Sequence, residues 1–177
     1  MTTFAKGRQK SKRKAAEILA EWRQTKPPID VDFLAEKAGV NLVYDELDDD
    51  VSGFLIKKKG KVFLAVNSNH HPNRQRFSIA HELGHYFLHL NSTSVVFIDK
   101  TVYYRNIDSS SGKYQQEIEA NAFAADLLMP KDMLEKELEK FGEELTDMDI
   151  YRLANRFGVS QQAMDLRLQN LGLIVEP

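Results

Sequence analysis

A chain of 177 residues with 24 Lys and Arg against 26 Asp and Glu has a net charge of only -2, which favours neither an acidic nor a basic partner. The chain has no cysteine, and no apolar run approaches the roughly 18–20 residues that cross a membrane. These features exclude a disulfide-stapled or membrane-spanning protein and agree with a cytoplasmic one. With 42% hydrophobic residues, the chain is long enough to bury one core.

The N-terminal residues 1–26 predict a basic amphipathic helix. Lysine and arginine are almost continuous over residues 10–14, and apolar residues recur at the spacing of a buried helical stripe, at Ala15, Ile18, Leu19 and Trp22. Such an arm can contact nucleic acid or an acidic partner, although a solvated helix face is the more common role of a basic run. Pro27 and Pro28 end the helix.

The next segment predicts a short helix followed by a small sheet. The helix over residues 29–38 is closed by Gly39, and strands follow at residues 40–44, 54–56 and 62–66, the last two joined by a lysine-rich turn. We predict an α+β fold in which this antiparallel or mixed three-stranded sheet packs on the helix that comes next. An exposed strand edge would hold a peptide by main-chain hydrogen bonds, but a purely supporting hairpin is an equal alternative.

The helix over residues 72–90 carries the sequence His81-Glu-Leu-Gly-His85. Residues four apart lie on one face of a helix, so His81 and His85 direct two imidazoles at one point, and Glu82 lies beside them. This H-E-x-x-H pattern is typical of zinc metalloproteases, in which both histidines bind the metal and the glutamate is the general base. Two solvated histidines would be the alternative, and so apolar a helix disfavours it. Gly84 would let another element pack close to the metal.

Residues 92–113 are the hardest part of the chain to predict. Residues 95–98 and 101–104 have the β-branched and aromatic composition of strands, and a loop rich in serine and glycine follows. The segment could form a lid over the metal. It also contains, with the residue that follows it, the candidate donors for a tetrahedral oxyanion, which are Tyr103, Tyr104, Arg105 and Tyr114. Packing or a place on the surface is the more common role for each.

A catalytic zinc takes three protein ligands and a water, so a third ligand must come from elsewhere. Without cysteine, the best candidates lie in a second helix, over residues 117–130, which is rich in small residues and stops at Pro130. Glu117 and Asn121 share a face, so Glu117 can bind the metal while Asn121 orients a ligand as an outer partner. Glu119 points about 200° away from Glu117 and would be a solvated charge or an orienting group. First-turn acids favoured by the helix dipole are the alternative for both glutamates.

The C-terminal residues 131–177 predict a helical segment packed on residues 1–130, the metal-binding domain. Two short helices over residues 147–157 and 161–171 flank a Gly-Val-Ser turn and resemble a helix-turn-helix. DNA binding would place these side chains at a groove: Gln161, Gln162 and Arg167. However, residues 131–177 contain ten acidic and six basic residues, a net charge of -4, which favours packing or partner docking.

The two metal-binding motifs resemble those of the ImmA/IrrE metallopeptidases. The likeness rests on residues 76–89, RFSIAHELGHYFLH, and on residues 117–130, EIEANAFAADLLMP, and it extends to residues 29–35, 51–54 and 153–168. The resemblance implies a cytoplasmic, gluzincin-like protease with a zincin-type pair of metal-binding helices, often encoded by phages and mobile elements. Such proteins typically relieve transcriptional repression by cleaving a helix-turn-helix repressor.

Carried over to this chain, the resemblance implies that His81, His85 and Glu117 hold the metal and that Glu82 is the catalytic glutamate. The expected metal is Zn²⁺, with Mn²⁺ as an alternative in the cell. The expected substrate is a helix-turn-helix repressor, and we expect neither membrane association nor sequence-specific DNA binding.

Two other functions fit parts of the sequence. One is a metal-binding regulator, similar to an antirepressor or an antitoxin, that acts on its partner by binding alone. The other is a DNA-binding regulator that uses the C-terminal helices and has a structural metal. Glu82 favours the enzyme over the first alternative, because a structural site needs no base. The acidic C-terminal segment disfavours the second.

Overall fold

The computed structural model describes residues 3–90, 96–100, 112–142 and 145–174. In these residues the helices are α1 Thr3–Glu21, α2 Val31–Lys37, α3 Pro72–His89, α4 Gly112–Leu128, α5 Lys131–Leu138, α6 Asp147–Phe157 and α7 Gln161–Asn170. The strands are β1 Val40–Asp45, β2 Val51–Lys58, β3 Lys61–Asn67 and β4 Val96–Lys100.

The strands of the described residues form one mixed sheet in the order β1-β3-β2-β4. β1 runs parallel to β3, with Val40 opposite Val62, whereas β2 runs antiparallel to β3, with Leu55 opposite Leu64. The α+β class and the mixed sheet are confirmed, and a fourth strand joins the three that were predicted. β4 pairs antiparallel with β2. Composition indicates strand character over residues 95–98, but the pairing partner depends on contacts between distant segments, which local composition does not specify.

α3 packs on one face of the sheet. Leu55, Leu64 and Val66 from the strands are fully buried in the same core as Ile79 and Leu83 of α3. Alternate residues of a strand point to opposite faces, so these strands present one continuous apolar surface to the helix. The sheet therefore supports the helix that carries both histidines of the H-E-x-x-H sequence.

On its other side, α3 is approached closely by α4 at Gly84. A Cβ atom on Gly84 would lie 3.0 Å from the Cα and 3.1 Å from the carbonyl oxygen of Ala120. α1 packs in turn on α4, where the Ser11 hydroxyl donates a hydrogen bond of 2.9 Å to the Glu119 carbonyl. α4 therefore lies between α1 and α3, and glycine at position 84 sets how near it comes to the histidines.

The C-terminal helices share the core of the rest of the described chain. Leu153 and Phe157 of α6 and Met164 and Leu168 of α7 are buried in the same cluster as the sheet and α3. Gly158 ends α6 in the left-handed region, with φ of 65°, a conformation that favours glycine. No helix among the described residues is both long and apolar enough to cross a membrane.

Arg76 of α3 joins three parts of the fold. Its Nε donates a hydrogen bond of 3.0 Å to the Gly158 carbonyl, and one of its terminal nitrogens donates a hydrogen bond of 2.8 Å to the Ile29 carbonyl. A charged donor shared by two carbonyls holds the start of α2 and the α6–α7 turn against α3.

Replacing Arg76 by methionine is expected to lower the free energy of unfolding by about 3 kcal/mol, because each lost hydrogen bond to a charged group contributes about 1.5–3 kcal/mol. Chemical denaturation measures this loss. Arg13, whose side chain is 76% exposed, provides the matched control. Arg13→Met should change the free energy of unfolding by less than about 0.5 kcal/mol, and equal effects of the two changes would contradict the role of Arg76.

A substitution series at Gly84 tests the contact between α3 and α4. Alanine gains about 1 kcal/mol of helix propensity over glycine at an exposed helical position, yet here its Cβ would meet the backbone of Ala120. We therefore expect Gly84→Ala to give no stabilisation and Gly84→Val to lower the melting temperature clearly. Thermal unfolding followed by circular dichroism measures both. A rise in melting temperature with Gly84→Ala would show that α4 moves away freely.

Candidate metal centre

Two buried histidines of α3 face each other. The Nε2 atoms of His81 and His85 are 3.0 Å apart, and each residue is only 1% exposed. Their spacing of four residues puts both rings on one face of the helix. The nitrogens that would bind a metal therefore converge, as the spacing predicts.

Glu117 brings a carboxylate from α4 to the same point. Its Oε2 lies 3.2 Å from the His81 Nε2, and its Oε1 lies 3.3 Å from the His85 Nε2. Burial alone would raise the pKa of Glu117, but hydrogen bonds from both histidines outweigh burial and lower this pKa to about 2. Glu117 is therefore ionised at neutral pH, as a metal-binding carboxylate must be.

The separations of these three atoms fit a tetrahedral metal site. Zinc bonds to nitrogen and oxygen of about 2.0–2.2 Å place neighbouring ligand atoms about 3.3 Å apart. The observed distances of 3.0, 3.2 and 3.3 Å are close to this value. Two imidazoles and one carboxylate also form a donor set found in catalytic zinc sites. The cluster His81, His85 and Glu117 therefore fits a divalent metal ion.

Asn121 lies on α4 one turn after Glu117 and orients His81. The His81 Nδ1 is 3.0 Å from the Asn121 Oδ1. Because an amide oxygen only accepts hydrogen bonds, this contact requires the proton on Nδ1. A metal that displaced the Nε2 proton shared with Glu117 would therefore meet the lone pair of that nitrogen. The outer-partner geometry predicted for Asn121 is thus present, and it favours the tautomer that a metal needs.

Glu82 follows His81 in α3 and is fully buried. A carboxylate removed from water is unfavourable unless its environment compensates for the lost hydration. Its place next to His81, in the interior of the protein, fits a base that works in a water-excluded site.

Glu119 is not a member of the cluster. Its side chain accepts a hydrogen bond of 2.7 Å from Gln115 and lies 3.8 Å from the His89 Nε2. Glu119 is 9% exposed, so of its two predicted roles, a solvated charge or an orienting group, the solvated charge is wrong: α1 covers the face of α4 that carries this residue. Glu119 instead connects α4 to α1 and to the end of α3.

His89 is a neighbour of the cluster that the sequence analysis did not single out. Its ring lies 5.6 Å from that of His85. Burial and the charge of His85 lower the pKa of His89 to about 4, so His89 is neutral at pH 7. The sequence signal was the regular spacing of His81, His85 and His89, which puts three histidines on one face of α3.

Of the four candidate oxyanion donors, Tyr114 lies in the described residues. Tyr103, Tyr104 and Arg105 lie outside the described residues, as does the strand predicted over residues 101–104. Tyr114 is half-buried on α4, three residues before Glu117. Residues three apart share a helix face, so Tyr114 lies on the side of α4 that carries Glu117.

Comparison with known proteins places this site in a family. A peptidase family model described as the IrrE N-terminal-like domain matches residues 35–169, from within α2 to the last turn of α7. The metallopeptidase ImmA of Bacillus subtilis is 31% identical over 126 residues, which cover 68% of this chain and 64% of that protein. The radiation response metalloprotease IrrE of Deinococcus radiodurans is 34% identical over 100 residues, covering 55% of this chain and 27% of that protein.

A third relative comes from a phage. The uncharacterized immunity region protein 2 of Bacillus phage phi105 is 32% identical over 97 residues, which cover 55% of this chain and 56% of that protein. The chain thus spans between 27% and 64% of the length of these curated relatives. Because the family model covers most of the chain, including both metal-binding motifs, the chain belongs to the ImmA/IrrE family of metallopeptidases.

Proposed function

We propose that this protein is a metal-dependent endopeptidase that relieves transcriptional repression in the cytoplasm by cleaving a helix-turn-helix repressor. The repressor would belong to a phage, a mobile element or a stress regulon. The observation that carries the proposal is the convergence of His81, His85 and Glu117 within 4.8 Å of one another, beside the buried Glu82. The names of two relatives, a metallopeptidase and a radiation response metalloprotease, support a protease. The phage immunity relative supports a role in controlling a mobile element.

We assign the metal to His81, His85 and Glu117, and we expect Zn²⁺, with Mn²⁺ as an alternative in the cell. A site made of imidazole nitrogen and carboxylate oxygen suits Zn²⁺, whereas Ca²⁺ and Mg²⁺ prefer sites made of oxygen ligands alone. When bound, the metal would polarise the scissile carbonyl and lower the pKa of a water molecule in the site. Glu117 contributes the negative charge, and Asn121 holds the His81 ring in place.

Glu82 would move the proton during hydrolysis. Its carboxylate accepts a proton from the attacking water and then delivers it to the nitrogen of the leaving amine. Burial keeps bulk water away from this exchange and strengthens the interaction of the carboxylate with the reacting groups. Tyr114 is our candidate among the described residues for the donor that stabilises the tetrahedral oxyanion.

The alternative of a DNA-binding regulator is weakened by the contacts of Arg167. This residue would have to reach a DNA groove, but its guanidinium makes an ion pair of 2.6 Å with Asp126 and donates a hydrogen bond of 3.1 Å to the Met129 carbonyl. Its side chain is only 11% exposed. Arg167 therefore joins α7 to the end of α4, which agrees with packing as the role of the C-terminal helices.

The alternative of a binding-only regulator does not explain Glu82. A protein that acts without chemistry has no need of a buried carboxylate next to its metal ligands, because burying it is unfavourable. We therefore prefer the enzyme, and a Glu82→Gln variant separates the two functions.

Metal titration tests the ligand assignment. Glu117→Gln should weaken metal binding by at least about 100-fold, more than the 10–100-fold loss typical of outer partners, because it removes a charged ligand. The matched control is Glu119→Gln, which should leave affinity within a few-fold, since Glu119 faces α1. Competition against a chromophoric chelator gives both constants, and the double variant His81→Ala, His85→Ala should bind no stoichiometric metal. An equal loss for both glutamates would mean that the site is assembled differently.

Glu82→Gln tests the chemistry apart from binding. The amide cannot accept a proton at neutral pH, so cleavage of a candidate helix-turn-helix repressor should fall by a factor of about 10²–10⁴ or more. Metal content and melting temperature should stay close to wild type. Cleavage by the variant at the wild-type rate would exclude Glu82 as the base. Relief of repression by a variant that cuts nothing would favour the binding-only regulator.

A further inference from the structure

A groove of about 610 Å³ runs along α4 between α1 and α7. α4 contributes Ile118, Ala122 and Ala125, which follow one another at helical spacing and are only half-buried. Two small side chains on this stripe leave room above α4. The groove is thus a concave apolar surface with a helix on either side.

The groove adjoins the candidate metal centre. Asn121, which contacts the Nδ1 of His81, also lines the groove. The Nε2 of the same ring faces His85 and Glu117. Since the two nitrogens lie on opposite sides of an imidazole, the groove lies behind His81, away from the point where the ligand atoms converge. A chain lying in it would be close to the scissile bond without containing that bond.

One wall of the groove is positively charged. Arg8 and Lys12 of α1 are exposed, line the groove and share a helix face because they are four residues apart. Neither makes an ion pair with an acidic side chain of the described residues, whereas Arg167 on the facing helix is neutralised by Asp126 at 2.6 Å. The charge available to a ligand in the groove is therefore cationic.

The opposite wall is apolar. Leu166 of α7 lines the groove and is 57% exposed, while its neighbours Met164 and Leu168 are buried in the core. An exposed leucine facing a groove gains from any partner that covers it. A nucleic acid would pair with Arg8 and Lys12 but would leave this leucine and the alanines of α4 without suitable contacts. A peptide with both acidic and apolar side chains can contact the cationic wall and the apolar wall at once.

We propose that this groove binds a segment of the protein substrate that lies outside the scissile bond and combines apolar with acidic side chains. The inference rests on the proposed function, because its occupant is the substrate of the peptidase. Apolar side chains would cover Leu166 and the alanines of α4, and carboxylates would pair with Arg8 and Lys12. Binding there would select a substrate by a sequence remote from the bond that is cut, and it would hold the substrate beside the metal.

The test is a selection of random peptides of about 12 residues, a length that can follow a groove as an extended chain or a short helix. The bait is the Glu82→Gln full-length protein, so that bound peptides are not destroyed. Enriched peptides are synthesised with a fluorescent label, and their dissociation constants are measured by fluorescence anisotropy. We expect enrichment of Asp and Glu together with Leu, Ile, Val or Phe.

Groove variants are then compared with matched controls on the same background. Arg8→Glu with Lys12→Glu, and separately Leu166→Asp, should weaken binding by about tenfold or more, as expected for contacts at the centre of an interface. Arg13→Glu on α1 and Met148→Asp on α6 change charge or polarity at exposed residues outside the groove. Both controls should leave binding within about twofold. Metal content and thermal unfolding verify that every variant is folded.

Three outcomes would overturn the groove assignment: no enriched peptide, enriched peptides without acidic residues, or affinities that the groove variants do not change. The outcome for the proposed function is separate, because it depends on cleavage by the wild-type protein. If the groove variants weaken peptide binding but the wild-type protein cleaves no candidate repressor, the groove assignment is retained and the peptidase is rejected. If the wild-type protein cleaves a repressor and substitutions at Arg8, Lys12 and Leu166 have no effect, the peptidase is retained and the groove assignment is rejected.

Discussion

Two helices that carry ligands for the same metal must approach closely enough for side chains of ordinary length to meet. α3, which carries His81 and His85, and α4, which carries Glu117, approach each other closely at Gly84, where even a methyl group would lie 3.0 Å from the Cα of Ala120. Ala120 is one turn after Glu117, so this contact also determines how far the carboxylate is from His81 and His85. The spacing of the three proposed ligands therefore depends on the distance between the two helix backbones, and a larger side chain at position 84 would move Glu117 away from the two histidines.

Close packing of α3 and α4 removes carboxylates of the candidate metal centre from water. A buried carboxylate is stable only when nearby donors replace the water it has lost. Two histidines do this for Glu117, whose pKa is lowered to about 2 in spite of burial. On the far side of α4, Glu119 has a different set of partners, Gln115 and the neighbouring His89. Glu117 thus contacts the two histidines in the middle of α3, whereas Glu119 lies against Gly7 of α1 and His89 at the end of α3.

The sequence predicted the parts of the site that depend on a single helix. The spacing of His81 and His85 implies convergent rings, and the shared face of Glu117 and Asn121 implies that one helix brings a carboxylate and an amide together; the structure has both arrangements. Contacts between distant segments were not predictable in the same way. The partner of β4 and the burial of Glu119 under α1 depend on packing that local periodicity does not contain.

The position of α1 also depends on contacts between distant segments of the chain. α1 lies outside residues 35–169, the part of the chain that matches the family model, yet it packs on α4 through Ser11 and Glu119. Its basic residues, which in the sequence could be either a solvated face or a binding arm, are placed by this packing at the edge of a groove that reaches Asn121. The chemistry of the centre depends on α3 and α4, and the charge that a substrate would meet beside it depends on α1. Under the proposed function, substrate preference can therefore change through α1 while the geometry of His81, His85 and Glu117 stays the same, because none of these three residues belongs to that helix.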